Sequence, residues 1–339
     1  MSRRLRAIRP WRRAAAVSIL ALCILALALL SGPLFPFEPA ASDVADVVAQ
    51  IGDLDLYLRE REARHAGVRE ELAKGIVWND PSLHNRTPLS LVYLHGFSAS
   101  RRDVSPVVEM VARKLKANAF FTRLAAHGLA SSAEFAAVTP QDWLDDAREA
   151  VAIGQRIGER TILIGTSTGG LLATMVAREQ PALAALALLS PNFALRDWRA
   201  QFLSGPLGPV LARVLLGRDY SFAPVNSGHA EFWTSRFPSQ GIVALMDLEN
   251  YARSMHLTNL TVPTLIIYTD KDAVVDVGAI RARYAEIPDG RKRIIDLVGA
   301  TRHELTGAAL APDTVDAVVD EIVAFLRDEL DLTPRSGAG

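Results

Sequence analysis

The chain has 339 residues, half of them apolar, which is enough for one large core or two smaller ones. Its net charge of −1 hides an asymmetry: six arginines (Arg3, Arg4, Arg6, Arg9, Arg12, Arg13) stand in the first thirteen residues, leaving 31 basic against 38 acidic side chains after them. A mildly acidic body without a basic stripe argues against a nucleic-acid partner, and the single cysteine, Cys23, excludes an intrachain disulfide and any Cys-rich metal site.

Residues 1–13 read as a basic cytoplasmic segment and residues 14–34 as a transmembrane anchor or signal sequence. Ala14 to Leu30 holds nothing more polar than Ser18 and Cys23. As a helix this run reaches roughly 26 Å, a little short of the ~30 Å hydrocarbon core, and Leu34, Phe35 and Phe37 extend it. The run exceeds the usual signal h-region, and Pro39-Ala40-Ala41 fits a cleavage site poorly, so an uncleaved anchor is favoured over export after cleavage. Either way the arginines stay inside and the body lies outside the cytoplasm. Val44, Val47, Val48, Ile51, Leu54 and Leu58 recur at helical spacing after Ser42 and Asp43, which predicts a linker helix within residues 42–74 that dissolves into the charged Arg59–Arg64 stretch.

From Ile76 onward strands and helices alternate. Strands are predicted at Ile76–Trp78, Leu89–Leu94, Ala119–Thr122, Thr161–Ile164, Leu183–Leu189, Thr264–Tyr268 and Lys292–Leu297. Helices are predicted at 105–116, 140–157, 167–178, 277–287 and 313–330, the first two opened by Ser105-Pro106 and Thr139-Pro140. Alternation of this kind builds a parallel sheet with helices on both faces. Between Asn192 and Asn259 no strand is expected, only helical pieces at Leu207–Leu216, Ala230–Phe237 and Gly241–His256, which predicts an inserted helical cap. Residues 331–339 read as a disordered tail.

The chemistry concentrates at four places. Ile162-Leu163-Ile164-Gly165-Thr166-Ser167-Thr168-Gly169-Gly170 is a strand, then G-x-S-x-G, then a helix. That pattern makes Ser167 a nucleophile on a sharp turn, with glycines where side chains would clash. Leu91-Val92-Tyr93-Leu94-His95-Gly96-Phe97 is a buried strand running into the loop that supplies an oxyanion donor. The two donors expected are the backbone N–H groups of Phe97 and Thr168, and His95 braces that loop without moving protons. The strand Thr264–Tyr268 runs into Thr269-Asp270-Lys271-Asp272, where both Asp270 and Asp272 sit close enough to a strand end to orient a base, Asp276 less so. Of seven histidines, His303 alone follows the last strand, which yields the chain order Ser, Asp, His that this geometry requires.

With these motifs the chain resembles the α/β-hydrolase superfamily, in the branch of monoglyceride lipases, carboxylesterases and serine-aminopeptidase-like hydrolases, over roughly residues 75–330. Thr122-Arg123-Leu124-Ala125-Ala126-His127-Gly128 is similar to the branch's R-L-x-G-H-G loop, Gln141-Asp142-Trp143 to its D-W pair, and Tyr268–Asp272 to its G-x-x-D acid turn. Ala126 and Thr269 stand where glycine is usual. The resemblance implies an α/β-hydrolase fold: a mostly parallel sheet, helices on both faces and an inserted helical cap. It places the acid at Asp272, beside Ser167 and His303.

The expected division is then a first core part at 75–191, the cap at 192–259 and a second core part at 260–330. The expected activity is hydrolysis of a small-molecule or lipid-derived carboxylic ester through a Ser167 acyl-enzyme, needing no metal or organic cofactor. Phe193, Trp198, Phe232 and Trp233, with Phe202, Leu207 and Met246, are the expected pocket lining. Two alternatives remain: a serine aminopeptidase, for which Glu231, Asp247 or Glu249 would hold the substrate ammonium, and a catalytically silent membrane-anchored binding protein.

Overall fold

A computed structural model describes residues 17–20 and 37–332. The basic segment 1–13, nearly all of the 14–34 segment and the tail from 333 lie outside the described residues. Among the described residues no helix is long and apolar enough to cross a membrane.

Seven strands form the main sheet: β1 (Gly75–Val77), β2 (Thr87–Leu94), β3 (Asn118–Phe121), β4 (Gly158–Thr166), β5 (Ala185–Leu189), then Thr264–Tyr268 and Lys292–Asp296. Their spatial order is β1, β3, β2, β4, β5, Thr264–Tyr268, Lys292–Asp296, all parallel except β1, which runs antiparallel to β3. The continuous apolar runs follow from burial on both faces. In β2, Val92 and Leu94 enter one core while Leu91 and Tyr93 enter the other; in β4, Leu163 opposes Ile162 and Ile164 in the same way. One face is covered by α3 (Val107–Leu115) together with the closing helix Val315–Leu330. The other face carries α4 (Pro140–Ile157) and α5 (Thr168–Glu179). Thr139 and Asp142 cap α4 reciprocally and Pro140 opens it, so its start is fixed locally.

The segment expected as a linker is instead part of the body. It forms two helices, α1 (Val44–Gln50) and α2 (Leu54–Glu62), so the charged stretch is helical as far as Glu62. Val48, Leu54 and Leu58 are buried in the core under α4. Tyr57 donates to Glu149 at 2.6 Å, and Lys74 bridges Asp146 and Glu149 at 3.2 and 2.8 Å. Helical spacing reveals an apolar face but not what that face packs against, so a linker and a docked helix pair look alike in sequence.

The insertion also departs from expectation. It contains α6 (Gly208–Leu215), β6 (Asp219–Ser221), α7 (Ser227–Phe232), β7 (Arg236–Pro238) and α8 (Gln240–Ser254). The strands β6 and β7 pair antiparallel, and the helix expected over Ala230–Phe237 stops at Phe232. Three-residue strands are too short to show a period of two. After the cap come β8 (Thr264–Tyr268), α9 (Val277–Glu286), β9 (Lys292–Asp296) and α10 (Val315–Leu330).

Candidate active site

Ser167 sits between β4 and α5 with φ 53° and ψ −117°, a conformation L residues rarely adopt. The flanking glycines make that turn possible. A Cβ on Gly165 would lie 2.4 Å from the Gly169 carbonyl oxygen, and one on Gly169 would lie 2.1 Å from the Leu94 carbonyl oxygen. The Ser167 N–H donates to Leu189 O at 2.9 Å, so the turn is stitched to β5 as well.

His303 Nε2 lies 2.8 Å from Ser167 Oγ, and His303 Nδ1 lies 2.8 Å from Asp272 Oδ2. The second oxygen of Asp272 accepts the N–H groups of Val274 and Val275 at 2.8 and 3.0 Å. Burial would raise the Asp272 pKa, but the hydrogen bond and charge of His303, with those two N–H donors, outweigh it and hold the carboxyl below its usual range. Thr269 Oγ1 donates to Ala300 O at 3.0 Å, tying the acid turn to the histidine loop. The other aspartates have separate tasks: Asp270 pairs with Arg281 at the surface, and Asp276 caps α9.

Phe97 lines the same cavity as Ser167, and Thr168 follows the serine directly. Thr168 is the first residue of α5, so its N–H belongs to the helix-terminal donors without an intrahelical partner. Gly96 comes close enough that a Cβ there would lie 3.5 Å from Ser167 Cβ. The Phe97 ring is wedged edge-on among His127, Phe135, Trp143 and Phe237, with centroids 5.3 to 5.8 Å apart. His95 Nε2 accepts the Leu124 N–H at 3.0 Å, which leaves Nδ1–H to donate to Gly96 O at 2.9 Å. Burial pushes the His95 pKa down to about 4, so its ring is a neutral brace.

One buried acid near the serine went unnoticed in the sequence. Asp103 accepts from the Tyr93 hydroxyl at 2.5 Å, the Gly96 N–H at 3.1 Å and the Val104 N–H at 2.9 Å. Tyr93 also meets Thr166 Oγ1 at 3.0 Å, so a polar chain links the oxyanion loop to the strand below the nucleophile. Burial raises the Asp103 pKa to about 7. A tyrosine within an apolar strand and an aspartate in a polar loop carry no local sign that they meet.

A cavity opens at Ser167 and His303, lined in part by Phe97, Ala99, Leu189, Trp233 and Leu305. Of the expected lining, Trp233 is there and the rest are not. Phe193 is buried in the main core. Trp198 is 64% exposed on the cap surface, where it packs against Phe202. Phe232 is half-buried, with the Arg102 guanidinium 5.3 Å over its ring. Position within the cap says nothing about which way a ring points. The expected ammonium acceptors are likewise elsewhere: Glu231 is exposed, Asp247 accepts the Gly205 N–H, and Glu249 pairs with Arg253 and accepts the Leu195 N–H.

Comparison with known proteins agrees with this architecture. The family model Hydrolase_4, described as serine aminopeptidase, S33, matches residues 90–308. A solved structure from work on LipS and LipT, two metagenome-derived lipolytic enzymes, superposes with a TM-score of 0.64 at 20% identity, covering 77% of this chain and 99% of that one. A monoacylglycerol lipase from Paleococcus ferrophilus superposes at 0.56 with 16% identity, covering 76% and 99%. A soluble variant of monoglyceride lipase from Saccharomyces cerevisiae superposes at 0.57 with 14% identity, covering 76% and 91%. At such identities the likeness speaks for the fold. No curated protein is similar enough to match. With the family model spanning well over half its length, the chain belongs to the Hydrolase_4 serine aminopeptidase family and is a hydrolase of the α/β-hydrolase superfamily.

Proposed function

We propose that the protein hydrolyses a carboxylic ester through a Ser167 acyl-enzyme. The observation that carries this reading is the unbroken relay in which His303 stands 2.8 Å from both Ser167 Oγ and Asp272 Oδ2. His303 takes the serine proton as Oγ attacks the ester carbonyl, then delivers it to the departing alcohol. Asp272 keeps Nδ1 protonated and stabilises the imidazolium that forms between the two steps. The Thr168 and Phe97 N–H groups receive the negative charge of the tetrahedral intermediate. Water, activated by the same imidazole, then releases the acid.

Labelling by a fluorophosphonate tests this directly. The wild-type chain is expected to label and the Ser167→Ala variant is not, with ester turnover falling roughly 10⁶-fold. Folded wild-type protein that fails to label points to the silent binding protein instead. Peptidase chemistry gains one supporting observation, since Glu304, half-buried, lines the cavity and could face an ammonium group. Turnover of an aminoacyl anilide above that of simple esters would favour that reading.

The arginine-rich start and the apolar run from Ala14 to Leu30 support a further part of the proposal: residues 14–34 hold the hydrolase at a membrane, with its body outside the cytoplasm. Such a tether suits a lipid-derived ester. Retention in the membrane fraction after an alkaline wash, lost on deletion of residues 1–34, is the expected result.

A further inference from the structure

A backbone N–H at Phe97 stabilises an oxyanion only if its loop is held in one conformation, and that loop is strained. Ser98, the next residue, has φ 58°, a region that residues other than glycine rarely adopt. Such backbone persists only where its surroundings hold it. Here the Ser98 N–H donates to His127 Nε2 at 2.9 Å, and the Ser98 carbonyl accepts the Thr234 N–H at 2.7 Å.

His127 in turn sits on a tightly wound loop, with Ala126 and Gly128 on either side of it at φ 68° and 67°. Much of what holds this loop comes from the chain between α2 and β1. Glu62, the last residue of α2, takes the Arg123 guanidinium on both oxygens, at 2.7 and 3.0 Å. Arg123 Nη1 then donates across the turn to His127 O at 3.0 Å. Farther along, the Arg69 N–H donates to Gly128 O at 3.1 Å, and the Ala130 N–H donates to Gly67 O at 2.7 Å. The Lys74 ammonium pairs with one oxygen of Asp146, whose other oxygen accepts the Ala125 N–H at 2.7 Å.

A buried ion pair adds little stability that apolar side chains of the same volume would not. What it adds is direction, because a guanidinium seated on two oxygens aims its third nitrogen at a single carbonyl. Arg123 and His127 are 2% and 1% exposed, so water has no access to replace a lost bond. The series Glu62, Arg123, His127, Ser98 ends one residue from Phe97. Its first member precedes residue 90, where the family match begins.

Building on the acyl-enzyme reading, with Phe97 as an oxyanion donor, we infer that residues 54–74 serve catalysis as well as packing. Glu62 and Arg123 are positioning residues that set the Phe97 N–H through His127 and Ser98. Without them the Ser98 backbone relaxes and the N–H turns off the oxyanion. The loss falls on the transition state and spares substrate binding, because the charge that this N–H meets develops only during reaction.

The test uses the full chain as wild type, as Glu62→Gln, and as the double variant Glu62→Leu with Arg123→Met. Turnover of p-nitrophenyl butyrate is measured per active site, counted by the end-point of fluorophosphonate labelling, so any misfolded fraction drops out. The double variant is expected to lose about tenfold or more in kcat with KM within about twofold. Glu62→Gln, whose amide accepts from only one arm of the fork, is expected to lose about threefold or more. The rate constant of labelling falls with kcat, since phosphonylation places charge against the same N–H groups. A purely structural role predicts fewer sites, each of undiminished kcat. If the double variant does not fold, the nearly isosteric Glu62→Gln decides alone. A kcat per site and a labelling rate within about twofold of wild type overturn the inference and leave ester hydrolysis standing. Wild type that labels but turns over no ester overturns the ester reading alone, and the labelling rates then decide the inference. Wild type that does not label overturns both.

Discussion

The imidazole of His127 accepts the backbone N–H of Ser98 through Nε2 at 2.9 Å, joining the loop after β3 to the loop that carries Phe97. Its other nitrogen donates to Ala125 O at 2.9 Å, so the ring is neutral. With His95, two uncharged histidines in edge-on contact, their centroids 5.1 Å apart, hold the oxyanion loop.

Both rings resist protonation, chiefly because they are buried. An unfolded histidine binds its proton near pH 6.5, while native His95 does so only near 4 and His127 well below its usual range. Below about pH 6.5 the unfolded chain therefore binds more protons, and stability falls as pH drops toward 4, by about 1.4 kcal/mol per pH unit for each ring. Asp103, whose pKa is raised to about 7 by burial, acts in the opposite sense over the same range. The informative quantity is a difference between proteins. His127→Gln is expected to lose less stability than wild type between pH 6.5 and 4.5 in urea titrations; equal losses refute the assignment.

Arg123 is buried with its guanidinium on both oxygens of Glu62, at 2.7 and 3.0 Å, and donates to His127 O at 3.0 Å. Glu62 thus ties α2 to the loop bearing His127. Glu62→Leu strands a buried charge and should cost about 3–5 kcal/mol, whereas replacing both partners by Glu62→Leu with Arg123→Met should recover much of it. Chemical denaturation of the three proteins decides; a single variant within 1 kcal/mol of wild type on that scale would mean that the pair matters little.

Ala126 holds φ 68° where related loops carry glycine, and it is buried. A Cβ in that conformation costs roughly 1–2 kcal/mol. Ala126→Gly is expected to stabilise the protein by up to about 1 kcal/mol, since greater freedom in the unfolded chain offsets part of the relief. A lower midpoint in thermal unfolding contradicts this.

Asp272 and Asp270 stand two positions apart with different surroundings, the first buried on His303 and the second half-exposed on Arg281. Asp272→Asn should lower kcat by ~10⁴ because the imidazole takes the wrong tautomer. Asp270→Asn removes only a surface pair and should change kcat less than about twofold, in keeping with the small worth of such pairs. Comparable losses in both variants would reassign the acid.

The alternation of strands and helices, the turn at Ser167 and the position of His303 after the last strand were legible along the chain because each rests on local patterns. Apolar runs report a strand buried on both faces, glycines report a turn without room, and chain order reports which loop follows the last strand. The choice between Asp270 and Asp272 rested on a family resemblance, since both follow the same strand. Three of the four expected pocket residues, Phe193, Trp198 and Phe232, face elsewhere, because an aromatic in an insertion has no period to reveal its direction.

By itself, then, the sequence determined the layered architecture, the turn at Ser167 and the place of His303 after the last strand, and it narrowed the acid to Asp270 or Asp272. Tertiary structure alone decided that α1 and α2 pack into the body and that Asp103 and Tyr93 meet beneath the oxyanion loop. The physical reason is range. Backbone propensity and periodicity act over a few residues, whereas a buried polar contact joins positions far apart whose identities carry no mark of one another until the chain has folded.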